Sequence, residues 1–118
     1  MKLITQEHIK AFRKQGDTSA LMPEEISVIL KLFNPVGAGT WYCYEYHEED
    51  GYFWCMADIG MGYRELGTVS LAELQEVKIP LTVLINGKEL EGGDVAIQRD
   101  KHFPIGRYTV AQVLERDY

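Results

Sequence analysis

The stretch GTWYCYEYHEEDGYFWC, residues 39–55, decides the fold of this chain. It belongs to two aromatic-rich runs, residues 41–47 and 52–58, which are joined by the residues EEDG. Aromatic side chains favour β-strands because they pack well across neighbouring strands, and an Asp-Gly pair between two such runs is a strong hairpin signal. Gly51 can adopt the positive φ that the turn needs. The sequence therefore predicts a β-hairpin at the centre of a sheet.

The length of the hairpin loop determines which side chains share a face, because side chains alternate along a strand. A loop of even length places Tyr42, Tyr44 and Tyr46 on one face, together with Phe53 and Cys55. The opposite face then holds Trp41, Cys43, Glu45, His47, Tyr52, Trp54 and Met56. On this geometry the two cysteines cannot meet, whereas an odd-length loop or a β-bulge would reverse the assignment.

Two predicted elements precede the hairpin. Thr5 can cap a short helix over residues 6–15, which Gly16 can end. The segment DTSALMPEE follows as a loop. The alternating, β-branched run ISVILKLFNP then favours a strand, with a helix as the alternative.

After the hairpin, an irregular connection leads to a short strand over residues 66–69. Ser70 and Glu73 have the spacing of a capping box at the start of a second helix, and Thr109 with Gln112 repeats that pattern for a last helix. Asn86-Gly87 signals a second hairpin, and DVAIQRD can add a strand. The chain is therefore predicted to be a single α+β domain with a mostly antiparallel sheet of about five to six strands and about three short helices.

Composition narrows the class of protein. The 118 residues are 46% hydrophobic and 25% charged, which is typical of a globular domain. No apolar run approaches the roughly 18 residues that span a bilayer, so we expect no membrane contact. The N-terminus lacks a secretory signal, so we expect a cytoplasmic protein, in which the thiols of the two cysteines are reduced. Twelve basic against eighteen acidic residues give a net charge of −6, which disfavours nonspecific nucleic-acid binding. An acidic surface can face a basic protein or can simply maintain solubility.

Motifs for catalysis and metal binding are sparse. Cys43, His47, Cys55 and His102 are metal-ligand residue types, but the hairpin geometry separates the cysteines, so core thiols are favoured and no metal or cofactor is predicted. No P-loop, Gly-x-Ser-x-Gly or His-Glu-x-x-His pattern occurs. The catalytic alternative is a carboxylate cluster of Glu45, Glu65 and Asp100, with His47 or His102 as base.

The aromatic side chains of the hairpin can have two roles, nucleic-acid binding or packing within the sheet. Aromatic side chains at alternating strand positions can stack nucleic-acid bases, but such platforms normally include Lys or Arg, and this hairpin contains neither. Packing within the sheet is therefore favoured. Tyrosine hydroxyls that reach solvent could still anchor a protein or a nucleotide.

Several segments in order resemble the DUF2958 family, small bacterial proteins of unknown function that are common on plasmids, conjugative elements and phages. These segments are MKLIT, WYCYE, YFWCMADIG, ELGTVSLAELQEV and QRDKHF. The matching residues are Trp41, Tyr42, Glu45, Phe53, Glu65, Leu66, Gly67, Ser70, Leu71, Glu73, Leu74, Arg99, Asp100 and Phe103. The link LTVLINGKELEGGDVA is longer than is usual in the family, which implies an extra hairpin. The resemblance implies a mobile-element setting and no established chemistry.

The polar residues shared with the family are open to two interpretations. Arg99 can form a buried ion pair that fixes the sheet, or it can bind an anionic ligand beside an aromatic wall. We predict a small non-enzymatic binding protein of a phage or plasmid, such as a host-defence inhibitor, that binds a protein partner or sequesters a small nucleotide. The alternative is a metal-dependent nuclease or other hydrolase. The candidate binding residues are Trp41, Tyr42, Tyr44, Glu45, Glu65, Arg99 and Asp100.

Overall fold

The computed structural model describes residues 2–118, except for the side chains of residues 82–84 and 91. Its helices are α1 (Gln6–Gln15), α2 (Leu71–Glu76) and α3 (Val110–Glu115), together with one 3₁₀ turn, Pro23–Glu25. Its strands are β1 (Leu30–Phe33), β2 (Thr40–His47), β3 (Tyr52–Asp58), β4 (Glu65–Ser70), β5 (Ile79–Ile85), β6 (Lys88–Val95) and β7 (Gln98–Arg99). This architecture confirms the predicted α+β class with three short helices.

The main sheet has five antiparallel strands in the order β4-β3-β2-β1-β7. The aromatic hairpin β2–β3 is central to it, as predicted, and Gly51 has a φ of 68° in the turn. The run ISVILKLFNP does form a strand, but only Leu30–Phe33 pair within the sheet. The preceding Ser27 instead makes an isolated bridge with Thr109.

Helix ends follow the local signals in the sequence. At the start of α1, the Thr5 side chain accepts a hydrogen bond from the His8 amide. At its end, the amide of Gly16 donates to the Phe12 carbonyl. Thr109 and Gln112 form the predicted reciprocal capping box at α3. At α2, the Ser70 hydroxyl accepts from the amide of Glu73, which satisfies one of the free amides of the first turn.

The sheet buries an apolar core on each face. On the first face, Phe12 of α1 contacts Phe53 with ring centroids 5.7 Å apart, and Leu74 of α2 belongs to the same cluster. On the second face, Val110 and Val113 of α3 pack with other buried side chains, namely Ile26, Val28, Tyr42, Tyr44, Met56 and Phe103. The central sheet is thus covered by helices on both faces, which explains why its strands are rich in large apolar residues on both sides.

The prediction that the two cysteines lie on opposite faces is wrong. The loop does have four residues, but a β-bulge lies between Cys43 and Glu45, so that Cys43 pairs directly with Cys55. Both thiols are buried in the core beneath α1. Burial, followed by the neighbouring Cys55, raises the pKa of the Cys43 thiol, so it is held as a neutral core group.

The second hairpin is separate from the main sheet. Strands β5 and β6 form a two-stranded sheet of their own, and the turn places Asn86 and Gly87 at φ values of 52° and 78°. Both residues therefore have the positive φ of the favoured two-residue hairpin turn, as the Asn-Gly pair predicts. Ile85 and Leu90 are about half exposed on this hairpin.

Candidate functional site

The candidate site lies beyond the N-terminal end of strand β1, where Leu30 pairs with Cys43. Strand β1 pairs with residues 40–43 of β2, so the second half of β2 has no strand beside it on that edge. The side chain of Gln15 takes the place of a strand: its Nε2 donates to the Tyr44 carbonyl at 2.6 Å and to the Ser27 carbonyl at 2.9 Å. Its Oε1 accepts from the Ser27 amide at 2.8 Å. One side chain thus satisfies backbone groups of two segments that would otherwise be unpaired.

An apolar groove of about 730 Å³ lies beside this half of β2. We call it the β2 groove. It is lined by the end of α1, by the segment that follows, by β2 and the start of the β2–β3 turn, and by one residue each from β3 and β4. These residues are Phe12, Arg13, Gly16, Asp17, Thr18, Ser19, Leu21, Pro23, Ile26, Tyr44, Glu45, Tyr46, His47, Glu48, Trp54 and Leu66. Its volume is in the range of pockets that hold small ligands or single side chains of a partner.

The bulge places two consecutive lining residues, Tyr44 and Glu45, on the same face of the sheet. Tyr44 packs with the core on the second face, and Glu45 pairs with Trp54, which belongs to that same face. Regular alternation would have placed Tyr44 and Glu45 on opposite faces. Because of the bulge, an aromatic ring and a carboxylate lie side by side in the groove.

Glu45 ties the loop to the sheet. Its Oε1 accepts from the amide of Thr18 at 2.7 Å and from the Thr18 hydroxyl at 2.8 Å, and its Oε2 lies 2.5 Å from Nε2 of His47. Burial by itself raises the pKa of Glu45, but the Thr18 amide, the Thr18 hydroxyl and His47 together outweigh it and hold that pKa below its usual value. Glu45 is therefore a buried, ionised carboxylate whose hydrogen bonds are made before any ligand arrives.

His47 is oriented by two contacts. Glu45 holds its Nε2, and its ring stacks on Tyr52 with centroids 4.4 Å apart and planes 7° from parallel. The side chain remains 38% exposed, so it faces solvent at the acidic end of the groove. A carboxylate–histidine pair of this kind fixes the ring and leaves its other nitrogen available to a ligand.

Large apolar side chains are exposed along the groove. Trp54 is 38% exposed and Leu66 is 46% exposed, although both belong to strands of the main sheet. Across the groove Leu21 packs on the core of the second face, and Met22 beside it is 61% exposed. Neighbouring apolar side chains that are exposed beside a concave surface, with a tryptophan among them, are typical of a contact surface.

A charged pair forms the rim. Arg13 donates to both carboxylate oxygens of Glu48, at 2.9 and 2.7 Å. Asp17 accepts from the amide of Ser19 at 2.8 Å, and that bond lowers the pKa of Asp17. The groove therefore has an apolar floor and a rim in which carboxylates outnumber the single arginine.

The structure brings only two of the seven predicted binding residues, Tyr44 and Glu45, into this groove. Trp41 packs against the core of the first face. Tyr42 is fully buried, and its hydroxyl contacts the main chain of Tyr118. Glu65 is exposed at the start of β4.

Arg99 and Asp100 lie in a separate cleft, and they do not pair with each other. Arg99 donates to the Lys2 carbonyl at 2.8 Å, whereas Asp100 lies 3.4 Å from Nζ of Lys31. Asp100 is therefore not the partner of the buried ion pair that the sequence leaves open for Arg99. Consecutive residues at a strand end point in different directions, so neither side chain reaches the other.

Sequence reasoning missed the loop residues of the groove. Thr18 is buried and bonds Glu45 across 27 positions of sequence, and the loop DTSALMPEE carries no motif that predicts this contact. Among residues 2–81, 85–90 and 92–118, no group of three His, Cys, Asp or Glu side chains is placed to hold a metal ion. In that same span no helix is long and apolar enough to cross a bilayer.

Comparison with curated proteins and with solved structures gives no match. The model of the family described as "Protein of unknown function (DUF2958)" matches residues 3–108, which is most of the chain. This span includes the aromatic hairpin, the β2 groove and the Arg99–Asp100 segment. The chain therefore belongs to the DUF2958 family.

Proposed function

We propose that this protein is a non-enzymatic binding protein whose β2 groove holds a segment of a partner protein. The observation that supports this most directly is the exposure of Trp54 and Leu66 beside a carboxylate–histidine pair that is already hydrogen-bonded. Tryptophan is one of the residue types that are enriched among the energetic anchors of protein interfaces.

The groove is organised before binding. Gln15 fixes the Ser27 backbone to β2, and Glu45 fixes Thr18 to the same strand. The two ends of the loop are therefore held by hydrogen bonds, which are buried at Thr18 and partly buried at Ser27. A preformed site loses little conformational entropy when it is occupied, so more of the contact energy is realised as affinity.

The lining selects the chemistry of the partner. The floor is apolar, and Asp17, Glu45 and Glu48 place carboxylates at one end of it. The chain as a whole carries a net charge of −6. A segment with an apolar side chain next to a Lys or Arg fits both features, since the basic group gains from the acidic end and from the face of Trp54.

The catalytic alternative needs Glu45, Glu65 and Asp100 in one cleft, and the sheet separates them. Glu65 is on edge strand β4, whereas Asp100 follows β7 at the opposite edge. Four strand spacings of about 4.8 Å put these edges about 19 Å apart. Glu65 also pairs with Ala57 on the first face, whereas Glu45 pairs with Trp54 on the second. We therefore do not propose a hydrolase built on these carboxylates.

A mobile-element setting and a host-defence protein as partner stay predictions from the family resemblance. The groove proposal does not depend on them, because it rests on the lining residues alone.

The test is selection of peptides from a random display library on the full chain, followed by affinity measurement. Peptides with an apolar residue beside a basic one are expected to be enriched. Trp54→Ala should weaken them at least tenfold, as is typical of an anchor residue. Tyr63→Ala is the matched control, because Tyr63 is an aromatic side chain that is 53% exposed and lies outside the groove. Peptides that bind wild type and Trp54→Ala equally well would contradict the proposal.

A further inference from the structure

A second cleft, of about 710 Å³, lies between the first turn of α1 and the segment after β7. We call it the α1 cleft. It is lined by Thr5, Gln6, Glu7, His8, Arg99, Asp100, Lys101, Phe103, Pro104 and Ile105. None of these residues lines the β2 groove, so the two sites are independent.

His8 has a defined tautomer. Its Nδ1 accepts from the Thr5 amide at 3.1 Å and lies 2.6 Å from the Thr5 hydroxyl, whose oxygen also faces the His8 amide. Because Nδ1 accepts, the ring proton is on Nε2, and Nε2 is a hydrogen-bond donor. Burial, followed by the charge of Arg99, lowers the pKa of His8, which favours the same neutral form.

The donor on Nε2 has no acceptor among the described residues. His8 is only 9% exposed, yet every fully buried nitrogen and oxygen among the side chains that the structure describes has a hydrogen-bond partner. Nε2 therefore reaches an opening in the surface, and the α1 cleft is the opening that His8 lines. A nine-tenths-buried ring that presents a fixed donor to a cleft is suited to an acceptor ligand.

Two cations line the same cleft. Arg99 uses its Nη1 on the Lys2 carbonyl, which fixes the guanidinium and leaves its other donors. Lys101 is exposed at the mouth. The carboxylate of Asp100 is already engaged, since Oδ1 accepts from the His102 amide at 3.0 Å and Oδ2 lies 3.4 Å from Nζ of Lys31. Glu7 is the remaining acidic group of the lining.

The local charge differs from that of the chain as a whole. The charged side chains of the lining are Arg99 and Lys101 against Glu7 and Asp100, so the two charges balance. In a chain of net charge −6, the cleft is therefore less acidic than the protein as a whole. Pro104 and Ile105 add an apolar wall beside the cations, and Ile105 is 37% exposed.

We propose that the α1 cleft binds the phosphate group of a small phosphate monoester, with Nε2 of His8, Arg99 and Lys101 as donors and the ester's ring against Pro104 and Ile105. Two cations and one neutral donor match a dianion with three terminal oxygens better than they match a single carboxylate. An arginine held by one backbone bond is preorganised for such an oxyanion, and a lysine supplies a compact charge at the mouth.

The test is titration of the full ¹⁵N-labelled chain with phenyl phosphate at low salt, followed by NMR. Amide shifts are expected at residues 5–8 and 99–105, together with a shift of the His8 Nε2 resonance. Lys101→Gln should weaken binding about fivefold, and Glu7→Gln should tighten it, because the first removes an attractive charge and the second a repulsive one. Lys88→Gln on the separate hairpin has the same charge change as Lys101→Gln and should leave the affinity within about twofold.

Two further arms identify the ligand group. Inorganic phosphate is expected to shift the same amides more weakly, since it lacks the ring, and benzoate is expected to bind more weakly than phenyl phosphate. Shifts that map outside the cleft, or an affinity unaffected by both Lys101→Gln and Glu7→Gln, would overturn the proposal. Equal affinity for benzoate and phenyl phosphate would overturn the assignment to phosphate.

Discussion

The contact between Glu45 and Thr18 allows a quantitative test of how the β2 groove is held. Glu45→Ala removes a carboxylate that accepts two hydrogen bonds from Thr18, at 2.7 and 2.8 Å, in a site where Glu45 is 8% and Thr18 6% exposed. A hydrogen bond to a charged group contributes about 1.5–3 kcal/mol. We take the lower value for each bond, because the loop can rehydrate when it detaches. The expected loss of unfolding free energy is about 3 kcal/mol.

The assay is thermal and urea unfolding at pH 7. A loss of about 3 kcal/mol should lower the melting temperature by about 12 °C for a chain of this length. Glu48→Ala is the control, since Glu48 is also a paired carboxylate but lies on the exposed rim with Arg13, and a much smaller change is expected there. Hydrogen exchange gives a local readout: the Thr18 amide, protected in wild type, should exchange quickly in Glu45→Ala while amides of β3 remain protected.

The pH dependence has a defined sign. Glu45 has a folded-state pKa below its unfolded value of about 4.3, so its contribution is complete above that value and is lost as the pH falls through the folded pKa. The stability difference between wild type and Glu45→Ala should therefore be constant near neutral pH and shrink in acid. Equal losses for Glu45→Ala and Glu48→Ala, or a difference that grows below pH 4, would refute the reasoning.

Two further predictions follow from the core. Cys43 and Cys55 should resist a thiol reagent in the native protein and react fully in urea, because both are buried and burial raises the pKa of Cys43; native reactivity within minutes would contradict their placement. Tyr42→Phe removes a hydroxyl that accepts from the Tyr118 amide at 3.0 Å, and it should cost about 1 kcal/mol in urea unfolding, whereas Tyr63→Phe on the exposed loop should cost nothing measurable.

The elements that were predicted correctly from the sequence are those that depend on residues close together in the chain. The turn at Gly51, the Asn86-Gly87 turn and the capped starts of α1 and α3 each depend on residues within four positions of one another. Such signals fix backbone dihedrals or satisfy amides without help from the rest of the chain. They were enough to predict the α+β class and the central hairpin.

The assignment of the β2 side chains to faces failed because the bulge depends on residues that are distant in sequence. From Tyr46 to the turn, the predicted assignment of side chains to faces is correct, and Tyr46 does share a face with Phe53. The shift occurs at Tyr44, which lies beyond the first residue of β1, and Gln15 bonds the Tyr44 carbonyl from 29 positions away. The sequence WYCYEYH is compatible both with a regular strand and with a bulged one, so the sequence of the hairpin alone could not predict the bulge.

The bulge resolves a conflict within strand β2. Under strict alternation Cys43 and Glu45 would share a face, and that face is the apolar core beneath α1. Burying an unpaired carboxylate there would cost several kcal/mol. With Tyr44 as the extra residue, Cys43 stays in the core while Glu45 turns to the second face, where Thr18 and His47 satisfy it. The irregularity that defeated the sequence prediction is therefore what allows one strand to contribute both to the core and to the β2 groove.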